Sequence, residues 1–479
     1  MSNKKIYYEI FHSTFVHSGL RAIFSLITAG CMLVIIRVMG PEEYGKFSLI
    51  LQLAVTSGLF LSWGWSGTLG KFLPELTAPE DKRRLSSQAM EITTLSIFLY
   101  ALGFYAIYFF RPGILPLEIK ELAGSIVAFA SLFGITNVLQ GIYRGQGRFI
   151  EWSILDGLNN VTCRISVLGI MYLLGFKYQI AFYVFVITTL LFAIYSLIQL
   201  RGEIHLVEIK LEKNVVNFAM ISLVGSFVYM GISSIDAVLL RTLLKDARAV
   251  GYYFAGIRIP QIFQSLVIAP LSIPFIYYFT HPRTYQTREK IIDLGTRTLG
   301  FVSAIVSLSL FSFGGPIVSL FYGHFYGESI TVLRIYSFMF FLYGTTSLFA
   351  PYFVSINRFH VILINTIFTL IFMTIMDYFF IPIWRAAGPA LSNVLSTALQ
   401  NYIYIHILSK HGIPFAKANL LLAIGVTLSV FIELYLIPFS SVPVFITFCL
   451  IAKIFSKEEI TSVKKIIMDK KERTALAEN

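Results

Sequence analysis

Apolar runs of about twenty residues recur along almost the whole chain, and this repetition limits the fold more than any other feature. A helix that crosses a hydrocarbon layer of about 30 Å needs about 20 mostly apolar residues. In lipid, only helices and closed barrels satisfy every backbone hydrogen bond, and the alternating apolar and polar segments of a barrel are missing. The sequence therefore predicts an all-α polytopic membrane protein.

Composition agrees with this class, because 56% of the residues are hydrophobic, 13% are charged and the mean hydropathy is +0.74. A soluble core does not need so many apolar residues. About fourteen spans are predicted; the last is short, so twelve is the alternative. The first run lacks a small-residue cleavage site and contains Arg21, so it is interpreted as an uncleaved signal anchor. The predicted spans lie at about 14–36, 47–70, 91–110, 122–142, 153–175, 177–199, 214–240, 251–279, 295–317, 331–355, 361–380, 387–408, 419–437 and 440–455.

The basic residues are distributed unevenly. The chain has 38 Lys and Arg residues against 26 Asp and Glu residues, a net charge of +12 that would by itself fit nucleic-acid binding. When the N-terminus is placed in the cytoplasm, however, most Lys and Arg residues fall on the cytoplasmic side, as the positive-inside rule requires. We therefore expect both termini in the cytoplasm and no nucleic-acid partner. The isolated cysteines Cys31, Cys163 and Cys449 predict no metal site.

The two halves of the chain repeat a pattern. After the first span of each half comes "IIRVMGPEEYGKFSLI" or "LLRTLLKDARAVGYYFAG", in which an Arg ends a helix and a Gly beside an aromatic residue begins the next. Six spans per half is an even number, which predicts parallel repeats related by an axis along the membrane normal. We expect two six-helix lobes, residues 1–205 and 206–411, around a central cavity. Residues 412–479 add a helix pair and a basic cytoplasmic tail.

Glycine and proline residues interrupt several spans. Gly40 and Pro41 end the first span, since Gly tolerates unusual dihedrals and Pro has no amide proton. The second span contains Gly64, and its counterpart, the eighth, contains Pro260 and Pro270. Interrupted helices at matching places in two repeats are typical of a transport path, so these five residues are predicted hinges. At Gly40-Pro41, a tight turn with no further role is the alternative.

Five arginines fall within predicted spans. At about 3 kcal/mol for each lipid-facing arginine, all five would cost about 15 kcal/mol, as much as the stability of a typical domain. Arg297 and Arg334 lie near span ends and are expected to extend to the interface. Arg21, Arg164 and Arg258 lie deeper, so they are predicted to face a hydrated interior and the substrate; a structural ion pair is the alternative.

Polar residues recur every three or four positions in four spans, which places them on one helix face in each. We expect the four polar faces to share a cavity, although small polar residues also mediate ordinary helix packing. Arg258 and Gln261 form a further polar pair, one turn apart beside Pro260. The four sets are His17, Arg21, Ser25 and Thr28; Asp156, Asn160 and Arg164; Ser222, Ser226, Tyr229, Ser233 and Asp236; and Asn393, Thr397, Gln400 and Tyr404.

Acidic residues within the spans are candidates for ion coupling. Asp236, Asp377 and Glu433 are each predicted either to bind a coupling ion, H⁺ or Na⁺, or to neutralise a nearby arginine. No phosphate loop, HExxH motif or other enzyme signature is found, and no cofactor is expected.

The pattern of Arg37, Gly40-Pro41 and Glu43-Tyr44-Gly45 resembles that of the polysaccharide exporter or O-antigen flippase family, in the superfamily that includes the multidrug and toxic compound extrusion (MATE) proteins. The stretches Val250-Gly251-Tyr252-Tyr253 and Tyr143-Arg144-Gly145-Gln146-Gly147-Arg148 also resemble that family. The resemblance implies a transporter of the bacterial cytoplasmic (inner) membrane. It implies a polyprenyl-diphosphate-linked oligosaccharide as cargo for surface polysaccharides such as the O-antigen of lipopolysaccharide, with a polysaccharide polymerase and glycosyltransferases as partners.

Under this interpretation, Arg21 and Arg258, one from each half, hold the diphosphate, because guanidinium groups bind phosphate oxygens in pairs. Arg164, Asn160 and Gln261 complete the substrate-binding set. One alternative is an ion-coupled exporter of small cationic compounds, which would need acidic residues deep in the cavity. The other is a membrane-embedded polysaccharide polymerase or ligase, which would need a sizeable external loop.

Overall fold

The computed structural model describes residues 3–111, 113, 116–205, 212–268, 288–356, 358–410, 416–452 and 454, while the side chains of 3–18, 21, 22, 149, 229, 233, 288–291, 354, 359 and 416–419 lie outside this description. Every regular element in these ranges is helical, which confirms the predicted class. The α-helices are α1 (Asn3–Leu61), α2 (Trp65–Phe72), α3 (Pro79–Phe110), α4 (Leu117–Glu121), α5 (Ala123–Gly145), α6 (Phe149–Leu174), α7 (Tyr178–Gln199), α8 (Lys213–Leu244), α9 (Ala247–Phe263), α10 (Arg288–Ser312), α11 (Gly314–Tyr322), α12 (Glu328–Thr346), α13 (Phe349–Ser355), α14 (Phe359–Trp384), α15 (Ala387–Ser409), α16 (Ala416–Tyr435) and α17 (Ser441–Ile451).

Within the described ranges, nine helices are long and apolar enough to cross a membrane, and two shorter apolar helices follow at Leu420–Tyr435 and Ser441–Ile451. The chain is therefore a multi-pass membrane protein. The count of fourteen spans, the twelve-span alternative and the lobe boundaries stay predictions. One of the nine, Ile23–Leu61, has 39 residues and is about 58 Å long, roughly twice the thickness that a single crossing requires.

This long helix bends where the sequence predicts a hinge. Gly40 has non-helical dihedrals, φ 73° and ψ 167°, and Pro41 follows without an amide proton. The bend divides α1 into a first part before Gly40 and a second part after it. Gly64, with φ 68°, separates the second part from α2. A side chain is disfavoured at such positive φ values, so glycine is required at both bends.

The eighth predicted span is also irregular. Pro260 lies inside α9, and the helix continues as a π-helical segment over Gln264–Ile268. Proline removes one helical hydrogen bond, and π segments often occur where a helix carries function. Pro270 lies outside the described residues.

The two halves of the chain approach most closely where α1 crosses α9. A Cβ atom on Gly45 would lie 1.9 Å from the Ala247 carbonyl oxygen, and one on Gly251 would lie 1.8 Å from the Pro41 carbonyl oxygen. Both distances are too short for any side chain, so backbone packs directly on backbone. Gly45 lies four residues after Pro41, which Gly251 contacts. Gly251 likewise lies four residues after Ala247, which Gly45 contacts. This reciprocity is what a two-fold relation between the halves would produce.

A buried apolar cluster surrounds this crossing and joins helices of both halves, so the halves form one packed body in this conformation. Its fully buried members include Ile36, Phe47, Val167, Phe182, Ala255, Tyr326 and Leu333.

Candidate functional site

Two arginines from different halves of the chain repel each other electrostatically. They are Arg164 on α6 and Arg258 on α9. Arg258 is half-buried, and in the part of the chain that the structure describes it makes no hydrogen bond or ion pair. The arginine pair therefore presents positive charge that no nearby carboxylate neutralises by direct contact, which suits an anionic group.

The side chain of Arg164 is held by its own helix. Its guanidinium donates to the Asn160 carbonyl oxygen at 2.8 Å and to Asn160 Oδ1 at 3.0 Å, and it lies 5.7 Å from the centre of the Phe185 ring. Asn160 Nδ2 in turn donates to the Asp156 carbonyl oxygen at 2.8 Å. Successive steps of four residues put these polar side chains on one face of α6, as the sequence spacing predicts.

Of the other predicted substrate residues, Gln261 is described with its side chain and Arg21 without it. Gln261 is half-buried on α9, one turn beyond Arg258, and no described residue hydrogen bonds to its side chain. Arg21 lies within α1, but its side chain is outside the description, so its role stays a prediction.

A cavity of about 200 Å³ lies inside the first half of the chain, between the second part of α1, α5, α6 and α7. We call it the N-terminal cavity. Polar side chains line it from α5 and α6, and aromatic side chains line it from α5, α6 and α7. The amide and charged residues are Asn137, Gln140, Asp156, Asn159, Asn160 and Arg164, and the aromatic residues are Phe129, Phe133, Trp152, Phe185 and Phe192.

A second cavity of about 250 Å³ lies between the first part of α1 and α6. Ser25 and Thr28 line it from α1, and Asp156 and Asn160 line it from α6. Asp156 and Asn160 also line the N-terminal cavity, so they separate the two spaces. Two of the four predicted polar faces, those of the first and fifth spans, therefore meet here.

The other two polar faces meet in the second half of the chain. Asp236 on α8 and Asp377 on α14 are both buried, and their charges interact. Asn393 Nδ2 on α15 donates to Asp236 Oδ2 at 2.8 Å, and the Tyr253 hydroxyl on α9 donates to the same oxygen. We call these four residues the acidic cluster. Within the described residues the polar faces thus meet in pairs, one pair in each half, whereas the sequence predicted one shared cavity.

The acidic cluster has unused acceptors. Asp236 Oδ1 and both Asp377 side-chain oxygens are buried and accept no hydrogen bond from a described residue. No arginine forms an ion pair with either aspartate in the described ranges, so the contacts do not support the ion-pair alternative. Two buried carboxylates without a counter-charge are costly, and a proton or a monovalent cation between them would remove the repulsion.

Glu433, the third ion-coupling candidate, joins three helices. It accepts hydrogen bonds from the Ser312 hydroxyl at the end of α10 and from the Ser441 amide at the start of α17, the latter at 3.1 Å. The two serine hydroxyl oxygens are 2.7 Å apart. A carboxylate is stabilised at the N-terminus of a helix, so these contacts favour a structural role.

Several connections between spans contact one another. The predicted topology places these connections on the same side of the membrane. The buried Glu118, just before α5, pairs with Arg241 at the end of α8, with 2.5 Å between carboxylate and guanidinium. Glu42 pairs with Arg248 at 3.4 Å. We call these two ion pairs, together with the contact of Gly45 and Gly251 defined above, the connector contact. It ties the first half of the chain to the second.

Two further hydrogen bonds strengthen the same side. The Tyr326 hydroxyl donates to the Ile36 carbonyl oxygen at 2.7 Å, and burial raises the pKa of this phenol, which keeps its proton available. Arg37 donates to the Leu320 carbonyl oxygen at 3.2 Å. All these contacts lie on the same side of the predicted topology and join the two halves there.

The expectation that Arg297 and Arg334 extend to the interface stays a prediction. Arg297 donates to Asp293 at 2.7 Å and to the Ile454 carbonyl oxygen at 2.9 Å. Arg334 lies 5.9 Å from the centre of the Phe311 ring. Neither belongs to the arginine pair.

Several site residues were not predicted from the sequence. Trp152, Asn137 and Asn159 line the N-terminal cavity, and Tyr253 completes the acidic cluster. Asn159 lies directly before the predicted Asn160, so a doubled asparagine in an apolar run was the available signal. Tyr253 offered none, since its partner Asp236 lies on another helix.

A family model described as "Polysaccharide biosynthesis protein" matches residues 10–278. The solved structure of the lipid II flippase MurJ in an inward closed conformation has a TM-score of 0.72 at 16% sequence identity, over 94% of this chain and 99% of that chain. No curated protein matches the chain in a search by sequence.

Two MATE structures are similar over less of the chain. An inward-facing multidrug resistance MATE transporter of the MOP superfamily has a TM-score of 0.60 at 15% identity, over 83% of this chain and 98% of that chain. MATE in complex with MaL6 has a TM-score of 0.58 at 16% identity, over 82% and 96%. At these identities the likeness shows a shared fold.

Proposed function

Because the chain belongs to the polysaccharide biosynthesis protein family, we propose that it is a flippase for a polyprenyl-diphosphate-linked oligosaccharide. It would act in the bacterial cytoplasmic (inner) membrane, with its termini in the cytoplasm, and supply surface polysaccharide synthesis. A polymerase and glycosyltransferases would act before and after it on the same cargo. A glycan needs such a protein, since each buried hydroxyl without a partner costs several kcal/mol in hydrocarbon.

The arginine pair is the observation that carries this proposal. Arg164 and Arg258 come from different halves of the chain, repel each other, and lack a carboxylate in direct contact within the described ranges. A diphosphate placed between them would remove the repulsion and accept paired hydrogen bonds from each guanidinium. Gln261 would add an amide donor on the same helix as Arg258, and Arg21 a third cation from α1.

Transport would proceed by alternating access. The connector contact supports this, because it closes one side while the Gly40, Gly64 and Pro260 breaks leave the helices able to bend. Release of the connector contact would open that side. The acidic cluster would couple the cycle to H⁺ or Na⁺, since its charge state changes when an ion binds.

A deletion strain tests the proposal. Loss of the protein should stop surface polymer and cause lipid-linked glycan to accumulate in the inner leaflet. The wild type should restore transport, whereas Arg258→Ala and Arg164→Ala should reduce it at least tenfold. Arg83→Ala is the matched control, because Arg83 is exposed at the start of α3. Unchanged glycan distribution in the deletion strain would refute the flippase.

The fold similarity to multidrug MATE transporters supports a second candidate, an ion-coupled exporter of cationic compounds. The positive arginine pair argues against it, because it would repel such cargo. Drug-efflux assays with and without an ion gradient distinguish the two candidates. A polymerase or ligase would instead convert lipid-linked sugar to polymer when purified.

A further inference from the structure

The N-terminal cavity contains more polar and aromatic groups than the arginine pair uses. Arg164 occupies one edge of its wall, while four amide side chains and five aromatic rings line the remainder. We propose that this cavity binds one saccharide ring of the cargo while the arginine pair holds the diphosphate. This inference rests on the proposed function and assigns a second subsite to it.

The polar wall matches hydroxyl groups. An amide both donates and accepts, as does a sugar hydroxyl, so one amide can meet either end of a hydroxyl. Asn159 Oδ1 is buried without a hydrogen-bond partner among the described residues. Asn137 Nδ2 donates to the Phe133 carbonyl oxygen at 2.8 Å, and its own amide oxygen accepts from no described residue. The Asn137 oxygen is therefore available to a hydroxyl donor from a ligand, whereas the Asn159 oxygen would meet one only after its side chain rotates toward the open space.

Aromatic rings of the same cavity supply flat apolar faces beside these amides. Phe129 and Phe133 stack at 6.0 Å with an angle of 21° between their rings, and Phe129 lies 6.5 Å from Phe185. A pyranose ring has one face rich in C–H groups, which packs on aromatic rings, and a rim of hydroxyls. A cavity lined by both kinds of side chain fits such a ligand.

Charge and size favour a small, neutral ligand. The wall carries one carboxylate, Asp156, and one guanidinium, Arg164, so a neutral ligand is favoured over an ion. The cavity volume of about 200 Å³ lies below the range of about 300–1,000 Å³ that is usual for drug-sized molecules. A single sugar ring suits such a space better than a larger ligand does.

The second cavity provides the approach. It shares Asp156 and Asn160 with the N-terminal cavity and borders the first part of α1, the helix that carries Arg21. Gly157 also lines the second cavity, and the Phe24 ring packs directly against it. A sugar entering beside α1 would pass the Asp156 and Asn160 side chains.

The test uses the purified full-length protein and a panel of free hexoses, deoxyhexoses and N-acetylhexosamines. Saturation-transfer NMR at tens of millimolar sugar measures binding. At least one sugar should bind the wild type, and Asn159→Leu and Asn137→Leu should each weaken it about tenfold, which corresponds to about 1.4 kcal/mol. Asn217→Leu, at an exposed position on α8, is the matched control and should leave binding within twofold.

Two further variants separate the subsite from folding defects and from the flippase itself. Sugar should change the tryptophan fluorescence of the wild type, and Trp152→Phe should lose that change, since Trp152 lines the cavity. Arg258→Ala should abolish transport while sugar still binds. If no sugar of the panel binds the wild type, or if Asn159→Leu and Asn137→Leu bind as it does, the subsite is refuted whatever the transport assay shows. If sugar binds but the deletion strain transports normally, the proposed flippase function is refuted and the sugar-binding site is retained.

Discussion

At the residue scale, single side chains decide how the two halves of the chain meet. Gly45 and Gly251 allow backbone contact, whereas Asp236 and Asp377 place two carboxyl groups in one buried site. The glycine contact leaves no room for an added atom, and the two carboxyl groups need an added positive charge. A specific prediction follows from each of these features.

Gly45→Ala should destabilise the protein by about 1–3 kcal/mol, the usual cost of overpacking. The new methyl group would meet the Ala247 carbonyl oxygen, which cannot rotate away, so α1 and α9 must separate. Thermal unfolding in detergent measures the effect. Gly169→Ala on α6 is the matched control, since nothing lies within 4 Å of its Cβ position. Equal melting temperatures for Gly45→Ala and the wild type would contradict this account.

A cation or proton should stabilise the wild type through the acidic cluster. A ligand that binds only the folded state at a hundred times its Kd adds about 2.7 kcal/mol. The melting temperature should therefore rise when Na⁺ replaces choline at constant ionic strength, or when the pH falls if the ligand is H⁺. Asp377→Asn should remove this response.

Asp246→Asn serves as the control for that experiment, because Asp246 lies in an exposed ion pair with Arg385. It should keep the response to Na⁺ or to pH. If Asp377→Asn responds as strongly as the wild type, the acidic cluster is not the coupling site.

At the scale of the helices, the sequence predicts what is local. Apolar length located the spans, and the Gly40-Pro41 pair located the bend in α1, since both depend on neighbouring residues. The partners of those helices were not predictable. Asp236 meets Asn393 and Glu118 meets Arg241 across more than a hundred residues, and no local pattern specifies which faces pack. Because the sequence does not specify which helices pack together, it predicted one cavity shared by the four polar faces, whereas in the structure these faces meet in pairs.

Glu118→Gln should open the connector contact. The pair with Arg241 is largely buried, with side-chain exposures of 7% and 18%, and loss of one partner leaves the other charge uncompensated. Breaking a buried pair costs about 3–5 kcal/mol. A cysteine introduced in place of the buried Leu49 should then react several-fold faster with a thiol reagent. Glu151→Gln, which breaks the more exposed pair with Arg148, should leave the rate unchanged.

At the scale of the whole molecule, the two halves must move relative to each other if access alternates. Thr56 on α1 and Ser234 on α8 face each other across the halves, with 2.6 Å between their hydroxyl oxygens. This geometry offers a direct way to block the motion.

The double variant Thr56→Cys/Ser234→Cys should form a disulfide under mild oxidation, since the two side chains already lie within reach of an S–S bond of about 2.05 Å. Oxidation should stop transport, and reduction should restore it. The single variants should be insensitive to oxidant. Transport that continues at full rate in the oxidised double variant would show that the halves need not separate here.

The π-helical segment at Gln264–Ile268 has a mechanical consequence. A π turn holds one residue more than an α turn, so rewinding the segment as α-helix would turn Ile268, its last residue, by about 100° about the helix axis relative to Arg258 and shift it by about 1.5 Å along that axis. Such a change would alter which side chains of the segment lie on the same face as Arg258, while the contact of α9 with α1 stayed in place.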